Sequence, residues 1–334
     1  MFEIPTKEQW QALFEAAVSL NKKELWKIFP EELIFAFPSE KEDDAFYITV
    51  HGYEEEVLGI SFYAGREDIE KYLRILEQGD DVSFSFILEN QSCITALFGE
   101  EIHLGPGDLT AMQEGSYQPD PVLPHNCIYF RSYRPGMAPW YIDRKEADLL
   151  IKGLESFNRV TDLFREKVED PSSAMVVYNE RENRAEVVPF DESLKTAKAD
   201  IIKDDFYVAR LKQQKRTGRS IELDMLYMNS PVSGQLSSVP FFPKMCIIAD
   251  VDEGVIADQC IFEETTEEEE AFYTFLANYF KKSGLPRKIS IRSESAGPYM
   301  RDLCKRLRVT LQESKELPLI DDFMSMINGL GMGE

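Results

Sequence analysis

The order of strand-like and helix-like segments after Ile221 constrains the fold of this chain more than any other feature of its sequence. Three strand-like segments come first, and helix-like and strand-like segments then alternate. Residues 221–227 show the two-residue alternation of a half-buried strand, whereas Phe272, Leu276 and Tyr279 have helical spacing. This order predicts a mixed sheet flanked by helices. The predicted strands are 221–227, 245–251, 255–262, 288–291 and 308–312, and the helices are 266–283 with Thr266 as its cap, a segment around 300–307, and one from 318.

The first half of the sequence predicts a similar mixture of elements. Thr6 and Gln9 have the spacing of a capping box at a first helix, and Asp143 with Glu146 has the same spacing at a long one. The order of three strands, helix, strand, short helix, strand and long helix resembles the order after Ile221, so we expect two domains of related topology. The predicted strands are 33–37, 45–50, 57–64, 82–88 and 127–133, and the other helices are 66–78 and 106–114.

A charged stretch at 165–173 separates the two halves. Its Asp170-Pro171 pair stops a helix, and little of the stretch could be buried. The 334 residues also suit roughly two domains of ordinary size. We therefore expect an α+β protein with domains 1–168 and 169–334, the second containing further strands near 174–178, 185–188 and 206–211.

The charge balance argues against nucleic acid as a partner. With 37 Lys plus Arg and 60 Asp plus Glu, the formal net charge is −23, and such a chain repels phosphate backbones. The main basic cluster, residues 212–219, is predicted to be a turn between two strands. No apolar run reaches the roughly 20 residues of a membrane span, and MFEIPTKEQW has no features of an export signal. We therefore expect a cytoplasmic protein without membrane contact.

Cysteine and histidine spacing argues against a metal centre. The five cysteines are scattered without a CxxC pair, and the three histidines lack HxH or HExxH spacing. Buried, reduced thiols are the expected state of the cysteines. No metal or cofactor is expected.

The stretch GLPRKISIRS at 284–293, followed by a helix and then RVTL, resembles a segment of the ribonuclease-H-like fold of integrases and transposases. The resemblance covers about 110 residues, from near 221. It implies a carboxylate cluster that holds two Mg or Mn ions. Asp224 matches the first-strand acid of that family, Asp321 or Asp322 matches the acid of the last helix, and Glu294 lies near the remaining position.

One position departs from that pattern. The acid expected at the end of the fourth strand falls on Arg292 or Ser293. A guanidinium group repels a divalent cation, and a serine supplies no charge. A metal-dependent phosphodiesterase or nuclease is therefore kept as the alternative function, and a non-catalytic protein is preferred.

Over most of its length the sequence is similar to an uncharacterised bacterial family known only as domains of unknown function. The residues that carry this similarity are FRSYRPGMAPWYID at 130–143, FFP at 241–243 and LPRKISIRS at 285–293. The similarity implies no activity, cofactor or ligand.

The segment RSYRPGMAPWY is the loop richest in recognition chemistry. Arg131 and Arg134 can each bind an acid or phosphate through two hydrogen bonds, and Trp140 and Tyr141 offer faces for stacking. The competing interpretation places Trp140 in the core and pairs both arginines with acidic residues of the chain. We predict a non-catalytic binding or interaction protein whose partner is a protein or a small anionic ligand.

Overall fold

A computed structural model of the chain describes residues 2–39, 45–53, 57–79, 82–122, 125–195, 202, 204–233, 239–262, 267–292 and 295–330. The chain forms two compact units. The first spans residues 1–82 and 89–196, and the second spans residues 83–88 and 197–334. No helix within the described ranges is both long enough and apolar enough to cross a membrane.

The first unit is built on a seven-stranded sheet. The elements up to residue 196 are α1 (Lys7–Asn21), β1 (Ile34–Phe37), β2 (Phe46–His51), β3 (Leu58–Tyr63), α2 (Arg66–Gln78), α3 (Phe84–Asn90), β4 (Cys93–Gly99), α4 (Pro106–Glu114), β5 (Cys127–Tyr133), α5 (Arg144–Leu163), β6 (Ala174–Asn179) and β7 (Arg184–Pro189). The strand order is β5-β4-β3-β2-β1-β6-β7, and all neighbours are antiparallel except β1 and β6.

Helices cover both faces of this sheet. Phe35 and Phe37 of β1 belong to the main core with α1 and α5, whereas Ile34 and Ala36 belong to a smaller core with α2. Successive residues of a strand point to opposite faces, so these two cores lie on opposite sides of the sheet. The predicted capping box begins α1, since Thr6 Oγ1 accepts from the Gln9 amide at 3.3 Å.

The second unit contains a five-stranded mixed sheet. Its elements are α6 (Asp205–Lys212), β8 (Ser220–Tyr227), β9 (Lys244–Asp250), β10 (Val255–Phe262), α7 (Glu268–Ser283), β11 (Lys288–Ile291), α8 (Gly297–Leu307), β12 (Thr310–Glu313) and α9 (Pro318–Leu330). The strand order is β10-β9-β8-β11-β12. Strands β8, β9 and β10 are antiparallel, and β11 is parallel to both β8 and β12, as the sequence predicts for a mixed sheet.

The faces of the second sheet carry different helices. Ile221 and Leu223 of β8 belong to the core formed with α7 and α8, whereas Met245 and Ile247 of β9 pack with Ile320 of α9. The residues of β8 that alternate with Ile221 and Leu223 therefore point toward α9. This places two acidic residues of β8 beside the last helix.

Two predicted strands are wrong. Residues 82–88 contribute to helix α3, and 206–211 lie in α6. In each case a polar side chain caps the helix: Ser83 Oγ accepts from the Phe86 amide at 3.2 Å, and Asp204 Oδ1 accepts from the Tyr207 amide at 2.9 Å. The strand that follows α3 is β4, which is not among the strands predicted from the sequence.

The compact units divide the chain after residue 196, whereas the sequence-based division falls after residue 168. Strands β6 and β7 complete the sheet of the first unit through the parallel pairing of β6 with β1, so the first unit extends to residue 196 rather than 168. Residues 212–219 begin at the last residue of α6 and lead to β8, so they do not join two strands. Thr266, the predicted cap of α7, lies outside the described residues.

The expected repetition of topology is absent from the described sheets. In the first sheet β4 pairs with the third strand and is antiparallel to it, whereas in the second sheet β11 pairs with the first strand of the meander and is parallel to it. Similar orders of elements along the chain thus form different sheets. The segment before β4 leads it to the edge beside β3, whereas the segment before β11 leads it to the edge beside β8.

Candidate functional site

A cavity of about 260 Å³ lies in the first unit beside β5, and it is called the Trp10 cavity below. Helices α1 and α4, strand β5 and the N-terminal segment line it. Six of its lining side chains are aromatic, which is typical of small-molecule sites. The lining residues are Phe2, Ile4, Pro5, Trp10, Phe14, Gly107, Asp108, Thr110, Ala111, Glu114, Ile128, Tyr129, Phe130, Tyr141 and Ile142.

The walls of the Trp10 cavity differ in burial. Trp10, Phe14 and Phe130 are buried side chains with ring centroids 5.3–6.4 Å apart. Ile4 is 67% exposed although it lines the cavity. The floor therefore belongs to the core of the first unit, and the N-terminal segment lies at the mouth.

Arg144 holds that N-terminal segment against the start of α5. Its amide donates to the Glu3 carbonyl at 2.8 Å, and its guanidinium group pairs with the Glu3 carboxylate at 3.2 Å. Nη2 of Arg144 also donates to the Ile4 carbonyl at 3.4 Å. The wall near Ile4 is thus tied to a helix even though the Ile4 side chain is exposed.

Arg131 lies next to the cavity and is paired with a carboxylate that lines it. Nη1 and Nη2 donate to Asp108 Oδ1 and Oδ2 at 2.6 and 2.7 Å, and Asp108 is 4% exposed. The guanidinium carbon lies 4.9 Å from the Tyr129 ring centroid and 5.1 Å from that of Tyr141. Asp108 Oδ2 also accepts from the Gly105 amide at 2.8 Å. The ion pair of Arg131 and Asp108 is therefore a structural contact of the fold, stabilised by opposite charges and by the faces of two aromatic rings.

Gly107 permits the position of Tyr141. A Cβ atom at Gly107 would lie 2.5 Å from Tyr141 Cζ, closer than non-bonded atoms can approach. The Tyr141 hydroxyl accepts from the Gly107 amide at 3.3 Å. The close approach of α4 to this ring shapes one wall of the cavity.

Arg134 is paired as well. Its Nη2 donates to Glu146 Oε1 at 2.7 Å and lies 3.4 Å from Asp143 Oδ2. These two acids form the capping box of α5, in which Asp143 Oδ1 accepts from the Glu146 amide at 3.0 Å. Arg134 therefore ties the end of β5 to the start of α5.

Trp140 and Tyr141 are half-buried. The competing interpretation therefore agrees with the structure for the two arginines, which pair with acidic residues of the chain, but not for Trp140, which is not in the core. The backbone of Trp140 pairs with Ser132 through hydrogen bonds of 2.8 and 3.0 Å. Of the four ligand-binding residues predicted from the sequence, Tyr141 lines the Trp10 cavity. Their binding role stays a prediction, and an anion at Arg131 or Arg134 would have to displace carboxylates of the chain itself.

The predicted acidic residues of the second unit meet at an arginine. Arg292 Nε donates to Asp224 Oδ2 at 2.8 Å, and its Nη2 binds Asp321 Oδ1. Ser295 Oγ donates to the other Asp224 oxygen at 2.6 Å. Asp224 is 1% exposed; this burial raises its pKa, while the hydrogen bonds from Ser295 and Arg292 act in the opposite direction.

Two further acids near this cluster have different positions. Glu222 Oε2 accepts from the Leu319 and Ile320 amides at 3.1 and 3.2 Å and so binds the N-terminal turn of α9. Asp322, the alternative acid of that helix, is exposed, and Asp321 is the one that reaches the cluster. Glu294 lies outside the described residues.

This geometry does not fit a divalent metal. The guanidinium group of Arg292 stands between Asp224 and Asp321, the two carboxylates that a metal would need, and it already satisfies them. Within the described part of the chain, no three His, Cys, Asp or Glu side chains are arranged to hold a metal ion. The cluster joins β8, β11 and α9 by a charge network.

A chain of hydroxyl groups on the first sheet escaped the sequence analysis. Ser61 Oγ lies 2.9 Å from His51 Nε2 and 2.8 Å from Thr95 Oγ1, and His51 Nδ1 lies 3.7 Å from a Glu31 oxygen. The contacts run from Ser61 to His51 to Glu31, the arrangement of side chains found in a hydrolase triad. Ser61 is only 2% exposed, so this chain is assigned to internal hydrogen bonding. The sequence signal for these buried polar contacts was the alternation of polar and apolar residues in β2 and β3.

Two family models match the chain. Residues 10–182 match the domain of unknown function DUF7309, and residues 207–328 match the domain of unknown function DUF6930. No curated protein matches the chain. The ribonuclease-H-like resemblance of the second unit stays a prediction, because neither family model carries that assignment.

The first match covers more than half of the 334 residues and most of the first unit, including every residue that lines the Trp10 cavity except Phe2, Ile4 and Pro5. The expectation of a family of unknown function is thereby confirmed. The chain belongs to the family defined by the domain of unknown function DUF7309.

Proposed function

We propose that this protein is a non-catalytic binding protein and that a small ligand occupies the Trp10 cavity. The observation that carries the proposal is a cavity of about 260 Å³ lined by six aromatic side chains at the edge of the main core. Burial of apolar surface supplies most of the affinity at such sites, and a few polar groups orient the ligand.

A small ligand is favoured over an anion held by the loop arginines. Arg131 and Arg134 each make a close ion pair inside the first unit, with N–O distances of 2.6 and 2.7 Å. Breaking these pairs to bind an external acid would leave Asp108 or Glu146 without its cation. The cavity offers contact area without that cost.

The alternative function, a metal-dependent phosphodiesterase, receives no support from the carboxylates of the second unit. Asp224 and Asp321 bind a guanidinium group, and two-metal chemistry requires those oxygens for the ions. The binding proposal is therefore preferred over hydrolysis.

We further propose that the protein acts in the bacterial cytoplasm. All five cysteines are free thiols, which suits a reducing compartment. Selective biotinylation of surface proteins in intact cells, followed by fractionation, tests this proposal. Labelling of the protein before lysis would contradict it.

A neutral aromatic probe tests the binding proposal. We expect 2-phenylethanol to bind at one site per chain with an affinity in the millimolar range, as its few atoms allow, and to perturb NMR signals of residues that line the cavity. Thr110→Trp, which places a ring among the lining residues, is expected to abolish this binding.

The matched control is Gln113→Trp, on the exposed face of the same helix and outside the cavity. It adds the same side chain, so any general effect of tryptophan on stability or solubility appears in both variants. Absence of saturable binding to the wild-type chain, or equal loss in both variants, would contradict a ligand site in the Trp10 cavity.

A further inference from the structure

We propose that the ligand of the Trp10 cavity is an organic amine, with a protonated nitrogen on a compact aromatic or aliphatic body. This inference rests on the proposed binding function and adds the charge of the ligand to it. It departs from the small acidic ligand that the sequence analysis expected.

The charged residues that line the cavity are acidic. Asp108 and Glu114 are among them, and no Lys, Arg or His is among the described lining residues. Arg131, which lies beside the cavity, is committed to Asp108 through two hydrogen bonds. Arg144, at the N-terminal wall, is paired with Glu3. A ligand carboxylate would therefore meet acidic groups without an available cation.

Glu114 is the carboxylate that remains for a ligand. Asp108 is neutralised by Arg131, whereas Glu114 is exposed at the end of α4 and makes no ion pair with any described residue. A carboxylate beside an aromatic wall attracts a cation from water into the cavity, and the acidic surface of a chain with a net charge of −23 raises the local concentration of cations.

The aromatic walls favour the same charge. Trp10 and Tyr129 line the cavity, and the faces of electron-rich rings attract ammonium groups. Tyr129 and Tyr141 already lie beside the guanidinium group of Arg131, at 4.9 and 5.1 Å from its central carbon. This end of the first unit thus already holds one cation by ring faces together with a carboxylate, and an amine would use the same combination.

The experiment compares three probes that share a phenyl ring and differ in charge: 2-phenylethylamine, 2-phenylethanol and phenylacetate. Titrations of the full-length chain at pH 7 and low ionic strength give the three dissociation constants. We expect the amine to bind about tenfold more tightly than the alcohol, because it gains one exposed ion pair and contacts with ring faces. The acid should bind most weakly of the three. Added salt should reduce the preference for the amine.

Glu114→Gln tests the residue that provides the selectivity. We expect this variant to lose most of the preference for amine over alcohol while binding the alcohol as the wild-type chain does, because the amide keeps the shape and removes the charge. Glu101→Gln removes one exposed charge outside the cavity, and it is expected to keep the preference.

The outcomes separate the two proposals. If none of the three probes binds, the ligand site itself is wrong. If all three bind equally, or if phenylacetate binds best, the Trp10 cavity is a ligand site but the inference about the amine is overturned. An equal effect of Glu114→Gln and Glu101→Gln would also overturn it, since the selectivity would then come from net charge rather than from the cavity.

Discussion

Nε of Arg292 donates a hydrogen bond of 2.8 Å to the carboxylate of Asp224, a side chain that is 1% exposed. The same guanidinium group binds Asp321 and donates to the Lys315 carbonyl at 2.7 Å. One side chain from the end of β11 therefore connects β8, α9 and the segment that precedes α9. A buried carboxylate is tolerated here because its charge is compensated.

Arg292→Gln should destabilise the second unit by about 3 kcal/mol, because it leaves the buried Asp224 carboxylate without its cation. Chemical denaturation monitored by signals of the second unit measures the loss. Arg301→Gln is the control, since that guanidinium group pairs with Glu313 at the surface with exposed fractions of 51% and 38%, and such pairs contribute less than about 1 kcal/mol. Equal losses in the two variants would contradict a buried ion pair at Arg292.

The stability deficit of Arg292→Gln should grow with pH. Burial raises the pKa of Asp224 in the folded chain. A carboxyl group with a raised folded pKa contributes stability that is fully present below its unfolded pKa, about 3.9, and that is lost as the pH rises through the folded pKa. Loss of Arg292 raises that folded pKa further. Denaturation midpoints should therefore differ more between variant and wild type at pH 8 than at pH 5, and a constant difference would count against this explanation.

Gly107→Ala should destabilise the first unit by about 1–2 kcal/mol, although alanine is the better helix former. The new Cβ would lie 2.5 Å from Tyr141 Cζ, and relief of that overlap requires a shift of the ring or of α4. The double variant with Tyr141→Leu removes the clashing atoms, so its cost should be smaller than the sum of the two single costs. Strictly additive costs in chemical denaturation would show that the two residues do not interact.

Phe272→Ala should cost about 3–5 kcal/mol, the usual loss for a buried aromatic side chain. Phe272 is fully buried and its ring centroid lies 5.0 Å from that of Tyr299. Phe275 is only partly buried at the edge of the same core, so Phe275→Ala should cost about half as much. Denaturant midpoints measure both, and an equal or reversed order would contradict the packing of α7.

Cys260 should be the first cysteine to react with iodoacetamide at neutral pH. It lies directly opposite Cys246 on the neighbouring strand, and the hydrogen bond with the Cys246 thiol lowers the pKa of Cys260, which increases its thiolate fraction. Burial raises the pKa of Cys93 to about 11 and that of Cys304 to about 12. Peptide mapping by mass spectrometry measures the order of labelling, and Cys304 modified before Cys260 in the folded chain would contradict the prediction.

Local sequence signals predicted most helices and strands of this chain. The bounds of α4, β5, β10 and β11 agree with their predicted ranges. Capping pairs such as Asp143 and Glu146 act within one turn, so they can be recognised without any knowledge of the fold. Apolar periodicity likewise reports which face of a helix or strand is buried.

The same signals were ambiguous where the apolar run was short. Residues 82–88 alternate like a strand, but 84–88 form the first part of α3, in which the Ser85 hydroxyl accepts from the Tyr227 amide at 3.0 Å. Phe84 also lies against Phe242, with ring centroids 5.3 Å apart. These partners are more than 140 residues away along the chain. A window of seven residues contains no information about such contacts.

The candidate site shows the same division. Sequence chemistry identified Arg131 and Tyr141 as residues of interest, and the mismatch at Arg292 was visible as an arginine in the place of an expected acid. The cavity itself could not be predicted, because Trp10, Asp108 and Tyr141 come from α1, α4 and the segment before α5. Their proximity depends on how β5 packs with these elements.

The sequence by itself determined the kinds of elements, their approximate order, the α+β class and the family of this protein, because propensity, capping and hydrophobic periodicity act between residues that are close along the chain. The tertiary structure decided that β6 extends the first sheet beside β1, that Asp108 neutralises Arg131, and that Arg292 lies between Asp224 and Asp321. The distinction is physical: charges and ring faces act over a few ångströms of space, and only the folded chain brings residues from distant parts of the sequence within that distance.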